Sequence, residues 1–337
     1  VSCSGVGFKK QRPSFFVCLK DKKPDNASTF PIRIIPHRKN EMIKFFLNGA
    51  SILFCLIVIA GAGVYSLQAK PDNKLTPAEV VAKHLDSIGS AETRAGVQSI
   101  VARGSSRVIL RLGGEGQATG QVVIASQGHM NLINMAFDSA DYPSERIAFD
   151  GKNMYSSQIR PAVPTRLAQF LLREDGIFRE GLIGGTLSAA WPLLNIADRN
   201  PKLEYAGLKK IGDSQCHMLR YMPRKGSDLK ITLFFDAETF QHVRTEYEKT
   251  YSASMPRRMA PRVGATEQNG MATDSHLKIV EEFSGFKLEG KLTLPHSYKL
   301  ELSFQTETRP LLADWELSLD RFGFNQSIGP DQFGPEK

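Results

Sequence analysis

Six histidines fall within residues 70–337, at positions 84, 129, 217, 242, 276 and 296. A helical zinc pair needs them four apart and a knuckle needs cysteines beside them, and neither pattern occurs, so they read as scattered strand and loop residues. Ser227-Asp228-Leu229-Lys230 matches the Ser-x-x-Lys spacing of acylating enzymes. That chemistry puts the serine at a helix start facing a cleft, whereas these residues leave a hairpin turn. Gly114-Glu115-Gly116 followed by Gly120 misses the dinucleotide spacing by one residue and lies between strands. The carboxylate pairs Glu281/Glu282 and Glu246/Glu248 are adjacent or alternate on strands, and a solvated face explains them without acid–base work. Cys216 is the one cysteine after residue 69, with no second thiol to pair with and no recognisable base, and reads as a buried small hydrophobe. The expectation is a protein without catalytic group, metal or cofactor.

Charge decides a further class. The 337 residues carry a formal charge of +8, but residues 1–69 hold ten Lys/Arg against three Asp/Glu, so the remainder is close to neutral. Tyr205, Tyr221, Tyr247 and Phe235 sit near basic residues and imitate a base-stacking platform, yet a neutral body argues against nucleic acid. The basic segment has its own logic. Residues 1–41 are rich in Lys, Arg and Pro without periodicity and are expected to be unstructured, with Met42 the true start if the upstream start is mis-called. From Met42 a short n-region with Lys44, an apolar run from Ile52 to Ala60 and small residues up to Ala69 follow the grammar of a secretory signal, with a mature end near Lys70. The alternative is an uncleaved membrane anchor, since residues 45–69 are uncharged and long enough to span a bilayer.

The elements that must position the body's side chains follow from the period of its apolar residues. Thr76-Pro77-Ala78-Glu79 is a capping box with proline at the first helical position, and Val80, Val81, Leu85 and Ile88 then share one face. After it the period becomes two. Strands are expected at 97–101 with 107–112, 121–126, 131–137 and 146–149, the last ending in an Asp150-Gly151 turn. Residues 165–195 interrupt the meander with short helical pieces, broken by Gly181, Gly184, Gly185 and Pro192. Strands resume at 202–211, 215–222, 230–236, 242–251, 276–286, 292–294, 298–306 and 312–322. The polar stretch 252–273 reads as a flexible insertion. So many antiparallel strands need closure or a cover, and the helices at 76–89 and 165–195 are the cover available.

The order Leu208-Lys209-Lys210-Ile211-Gly212, Cys216-His217-Met218-Leu219-Arg220-Tyr221, Lys225-Gly226-Ser227-Asp228-Leu229-Lys230, Phe235-Asp236-Ala237-Glu238-Thr239 and Val243-Arg244-Thr245-Glu246-Tyr247 resembles exported outer-membrane lipoprotein-sorting proteins, the LolA/LolB-like family. Phe283-Ser284-Gly285-Phe286, Gly290-Lys291-Leu292 and Leu294-Pro295-His296 are similar to that family's closing strand–turn–strand repeat. The resemblance covers most of residues 76–325. It implies a mainly β (α+β) fold, an unclosed antiparallel β-barrel of about eleven strands under a helical lid, with residues 70–337 forming a single half-barrel domain. It further implies an apolar cavity for acyl chains of a lipid or lipoprotein. The candidate ligand-binding residues are Met135, Phe137, Phe149, Met154, Leu167, Phe170, Leu171, Leu187, Trp191, Leu219, Tyr221, Leu233 and Phe235, whose apolar side chains converge on one interior. The expected place is the periplasm or secreted space, or the membrane facing the periplasm, with membrane contact transient or through an uncleaved leader. The alternative function is an envelope sensor that uses the same fold to capture a protein partner.

Overall fold

The computed structural model describes residues 75–111, 116–160, 163–251, 274–305 and 311–336. The chain divides into two units, residues 1–68 and 69–337, and the described residues belong to the second. The leader, the mature end near Lys70 and the 252–273 insertion lie outside the described residues.

The order of strands explains why the molecule has a lid. The first meander is β1 (Ser99–Leu110), β2 (Gly116–Gln127), β3 (Met130–Phe137), β4 (Ser144–Phe149) and β5 (Met154–Ser156). A small ladder of β6 (Gln158–Arg160) with β7 (Val163–Pro164) stands apart from the main sheet. The second meander is β8 (Lys202–Ile211), β9 (Ser214–Met222), β10 (Lys230–Asp236), β11 (His242–Tyr251), β12 (Ser275–Glu289), β13 (Leu292–Gln305) and β14 (Leu311–Phe324). The two meanders fuse through β1 and β14, giving one twelve-stranded antiparallel sheet in the order β5-β4-β3-β2-β1-β14-β13-β12-β11-β10-β9-β8. The sheet is not closed, and its free edges are β5 and β8. The chain leaves one free edge at Ser156 and enters the other at Lys202, so the segment between them must cross from edge to edge.

That crossing is built from α3 (Arg166–Arg173), α4 (Gly176–Arg179), a 3-10 turn at Gly185–Leu187 and α5 (Ile196–Arg199). The pieces are short, as the glycines predict. Thr165 caps α3, its hydroxyl accepting from the Ala168 amide at 3.0 Å. Leu167, Phe170, Leu171, Ile177, Phe178, Leu182, Leu187, Trp191 and Leu193 are buried in one core with the inward side chains of the sheet. At about 25 cal/mol per Å² of apolar surface this shared core is the main force holding the crossing down.

Ahead of the sheet, α1 (Pro77–Ile88) begins with the capping box in place, and a short α2 (Ala91–Ala95) follows. Its buried face differs from the expected one. Val80, Val81 and Ile88 are buried with His84, while Leu85 is half-buried, so a histidine occupies the apolar stripe. The two apolar stretches at 97–101 and 107–112 join in one strand over residues 99–110, as expected, while one expected break is absent: β13 runs through Pro295 without ending. Within β1 the register shifts between Arg103 and Gly104, where a Cβ on Gly104 would stand 1.8 Å from the Ser318 carbonyl oxygen. Only glycine lets β1 and β14 approach so closely, and the bulge bends the strand. Among the described residues no helix is long and apolar enough to cross a membrane.

Candidate functional site

The thirteen apolar residues singled out in the sequence come together. Met135 and Phe137 project from β3, Phe149 from β4, Met154 from β5, Leu219 and Tyr221 from β9, Leu233 and Phe235 from β10. Leu167, Phe170 and Leu171 come from α3, and Leu187 and Trp191 from the 3-10 turn and the loop after it. All belong to the same cluster, twelve of them buried and Met154 half-buried. The surface they form is the concave face of the sheet meeting the underside of the lid.

Polar groups that the sequence reading missed are set into this apolar interior. Glu281 on β12 is fully buried, and its carboxylate accepts from the Tyr247 hydroxyl at 2.6 Å, the Tyr298 hydroxyl at 2.7 Å and the backbone amide of Gly184 at 2.7 Å. The two tyrosines lie on the flanking strands β11 and β13, and the Gly184 amide belongs to the lid loop. A sheet carboxylate therefore grips the lid by its backbone. Burial pushes the Glu281 carboxyl up to about 7, with the three donors pulling in the opposite direction.

A second buried carboxylate sits at the other end of the lid. Glu145 on β4 accepts from the Tyr142 hydroxyl and from the Thr165 hydroxyl, the latter at 2.5 Å. Thr165 is the cap of α3, so this contact fixes the start of the lid helix to the sheet. Burial raises the Glu145 carboxyl to about 7 as well. The Trp315 indole N–H donates to the Tyr142 oxygen at 3.2 Å and completes the chain.

A third cluster fastens Trp191. Its indole N–H donates to His84 Nε2 at 3.2 Å, and His84 Nδ1 lies 3.0 Å from the Phe240 carbonyl. An indole can only donate, so Nε2 must be the accepting nitrogen and Nδ1 carries the proton toward Phe240. The other face of Trp191 stacks on His242 with ring centroids 4.7 Å apart. Burial lowers His84 to about 4 and holds His242 well below the usual histidine range, so both are neutral rings of the interior. Further contacts fasten the lid: Lys249 to Glu174 at 2.6 Å and the Tyr221 hydroxyl to Glu180 at 3.1 Å, with the buried Ser188 hydroxyl to Asn131 at 2.6 Å and the Ala189 amide to the Ser126 hydroxyl at 2.7 Å.

Position bears on several chemical readings. Glu281 does not share a solvated face with Glu282, because alternation sends Glu282 outward to Arg244 while Glu281 lies inward between Ile279 and Phe283. That same alternation was the signal that would have found it. Glu246 and Glu248 both pair with Lys278, at 2.9 Å and 3.1 Å, but only Glu248 is partly open to solvent: Glu246 is buried beneath Arg244 and Lys278, so the solvated-face reading fails for it too. Ser227 lies ahead of strand β10, where its hydroxyl accepts from the Leu229 amide at 3.0 Å, and no helix begins there. Cys216 is a free, buried thiol, and burial raises its pKa, away from a nucleophile's. Among the described residues no three His, Cys, Asp or Glu side chains gather as metal ligands. The outer face of the sheet carries a groove of about 780 Å³ lined by Ser105, Ser284, Ser297 and Ser318 with Arg107, Lys299, Glu282 and Glu316. Charges on its rim pair with neighbours, as in Arg107–Glu316 at 3.6 Å.

No family model and no curated protein matches the chain. Among solved structures it is similar to an outer membrane lipoprotein-sorting protein domain from Vibrio parahaemolyticus, at 10% identity and TM-score 0.39, over 76% of this chain and 95% of that one. It is similar also to a LolA superfamily protein from Nitrosomonas europaea, at 13% identity and TM-score 0.40, over 77% and 97%. The MucA/MucB complex of Pseudomonas aeruginosa matches at 10% identity and TM-score 0.20, over 73% and 99%. The chain is thus similar in fold to LolA-superfamily and lipoprotein-sorting domains, the family that its hairpin order resembles.

Proposed function

We propose that this protein is an exported, envelope-located binding protein that takes the acyl chains of a lipid or lipoprotein into the interior beneath its lid, and that it performs no catalytic step. The observation that carries the reading is the construction of the lid. Its underside is continuous apolar surface, yet it is fastened at separate polar points: Glu145 at one end, Glu281 at the glycine loop and His84 at Trp191. Those hydrogen bonds, each worth about 1 kcal/mol net, are exchangeable, and the apolar burial that mainly holds the cover down is what is lost when it lifts as a piece and bares an apolar trough. Filling that trough with hydrocarbon restores the lost burial at about 0.8 kcal/mol per methylene, so a lipid is the natural replacement for the lid. The similarity to lipoprotein-sorting domains agrees with this reading and adds the envelope as its setting.

The test is organic extraction of the full chain purified from the cell envelope, followed by mass spectrometry. The expected result is lipid near one molecule per protein. A protein that emerges free of lipid, binds no acyl probe after delipidation and instead co-purifies with a stoichiometric protein partner would replace the carrier by the sensor.

A further inference from the structure

The polar groups inside the trough say something about the end of the cargo that is not hydrocarbon. Glu281, Tyr247 and Tyr298 sit on three adjacent strands, β12, β11 and β13, and stay with the sheet when the lid moves. The Gly184 amide does not, because it is carried by the lid loop. Opening therefore strips one donor from a carboxylate in the wall of an apolar chamber and leaves an acceptor pointing into the space the cargo enters. A second unanswered polar atom faces the same loop. His242 Nδ1 is buried without a hydrogen-bond partner, and a Cβ built on Gly185 would stand 2.7 Å from it, so this nitrogen lies directly under the lid backbone.

Resting on the cargo reading above, we propose that Glu281, flanked by Tyr247 and Tyr298, is the subsite for a hydrogen-bond donor on the cargo, an amine, amide or hydroxyl next to the acyl chain that replaces the Gly184 amide. The chemistry selects by sign. All three present partners of Glu281 are donors, and so is the ligand group that fits the vacated position. A carboxylate or phosphate head brings only acceptors and negative charge, which leaves the vacancy empty and adds repulsion in a medium of low dielectric. His242, packed on Phe283 beside this point, is a neutral ring and supplies no cation to offset an anionic head. The carboxyl itself titrates near neutrality, so raising the pH increases its demand for a donor.

The test uses delipidated full chain and four probes with one twelve-carbon tail: dodecylamine, N-dodecylacetamide, dodecyltrimethylammonium and dodecanoate. Affinities are read by titration calorimetry at a pH of about 8, below the micelle concentration. The amine and the amide are expected to bind about tenfold tighter than dodecanoate and trimethylammonium, the size of one hydrogen bond to a charged group. In Glu281→Gln the advantage of dodecylamine over dodecanoate should shrink about tenfold. The ratio is taken within each protein, so a general weakening of the fold cancels. The proposal is overturned if dodecanoate matches or exceeds dodecylamine in the parent, if trimethylammonium equals the amine, or if the variant keeps the preference. Equal binding of all four removes the subsite and leaves the cargo reading standing; binding of none removes both. Where Glu281→Gln does not fold, the ranking in the parent decides.

Discussion

At the scale of single residues, the interior is unusual for the number of ionisable groups it holds neutral or nearly so. Glu281 and Glu145 are shifted from an ordinary 4.5 to about 7, His84 from 6.5 to about 4, and His242 well below 6.5. The two kinds of shift act on stability with opposite signs. A carboxyl raised by burial contributes stability that is full below 4.5 and lost as pH rises through 7; a histidine lowered by burial contributes stability that is full above 6.5 and lost as pH falls through 4. Between about pH 4.5 and 6.5 they offset each other, and above 6.5 only the carboxyl loss remains. We therefore expect the melting temperature of the parent to change little from about pH 5 to 6.5, to fall as pH rises through about 7 and to level off by about pH 8. Glu281→Gln removes one carboxyl term, so its melting temperature should rise with pH across the lower interval, and superimposable profiles of parent and variant would show that Glu281 is not buried as described. Cys216 belongs at this scale too. Its thiol fills space beside Ser214 and has no base, so Cys216→Ala should cost about 1 kcal/mol in urea unfolding and leave acyl binding intact. Loss of binding with an unchanged fold would reopen a chemical role for it.

At the scale of elements, the lid loop is the most constrained piece. Gly184 and Gly185 both have positive φ, +79° and +51°, and a Cβ on Gly185 would meet His242 at 2.7 Å and Phe283 at 3.1 Å. Gly185→Ala should lift the loop off the sheet, raising hydrogen exchange of lid amides 166–194 while the strands keep their protection. Uniform loss of protection would mean that lid and sheet are one cooperative unit and that no separable cover exists. The elements themselves were legible in the sequence for local reasons. The capping box at Thr76 and Glu79, the period of two in the strands and the glycines of 181–185 act within a few residues of themselves. What was not legible is long-range. Pro295 reads as a strand break, yet it sits within β13 opposite Phe286. His84 reads as one of six scattered histidines until Trp191, far along the chain, arrives to bond it. Glu281 reads as half of a solvated pair until its inward neighbours are counted.

At the scale of the whole molecule, one join organises everything: β1 pairs with β14, so the middle of the chain is left to bridge the free edges. The hairpin order predicted a meander of this length, but which strands become neighbours across the chain ends depends on closure and leaves no local mark. The same holds for the segment after β14. Phe333 in the 3-10 turn Pro330–Phe333 is fully buried against Val101, Ala125, Leu132 and Ala148, and Arg146 donates to the Gln332 and Gly334 carbonyls at 3.0 Å and 2.8 Å. This strap covers an apolar strip of the sheet away from the lid's core, and Phe333→Ala should lower stability by about 3 kcal/mol in urea unfolding without altering acyl binding. A change below 0.5 kcal/mol would mean the strap is loose. In the proposed function, hydrocarbon and lid compete for one concave face. Photo-crosslinking the delipidated full chain with a twelve-carbon acyl probe carrying a diazirine at its tail tests this competition. Labelling is expected at interior residues such as Leu219, Phe235 and Trp191, competed away by unlabelled probe; labelling confined to the outer groove of Ser105 and Ser318, or no saturable labelling at all, would overturn the proposed function.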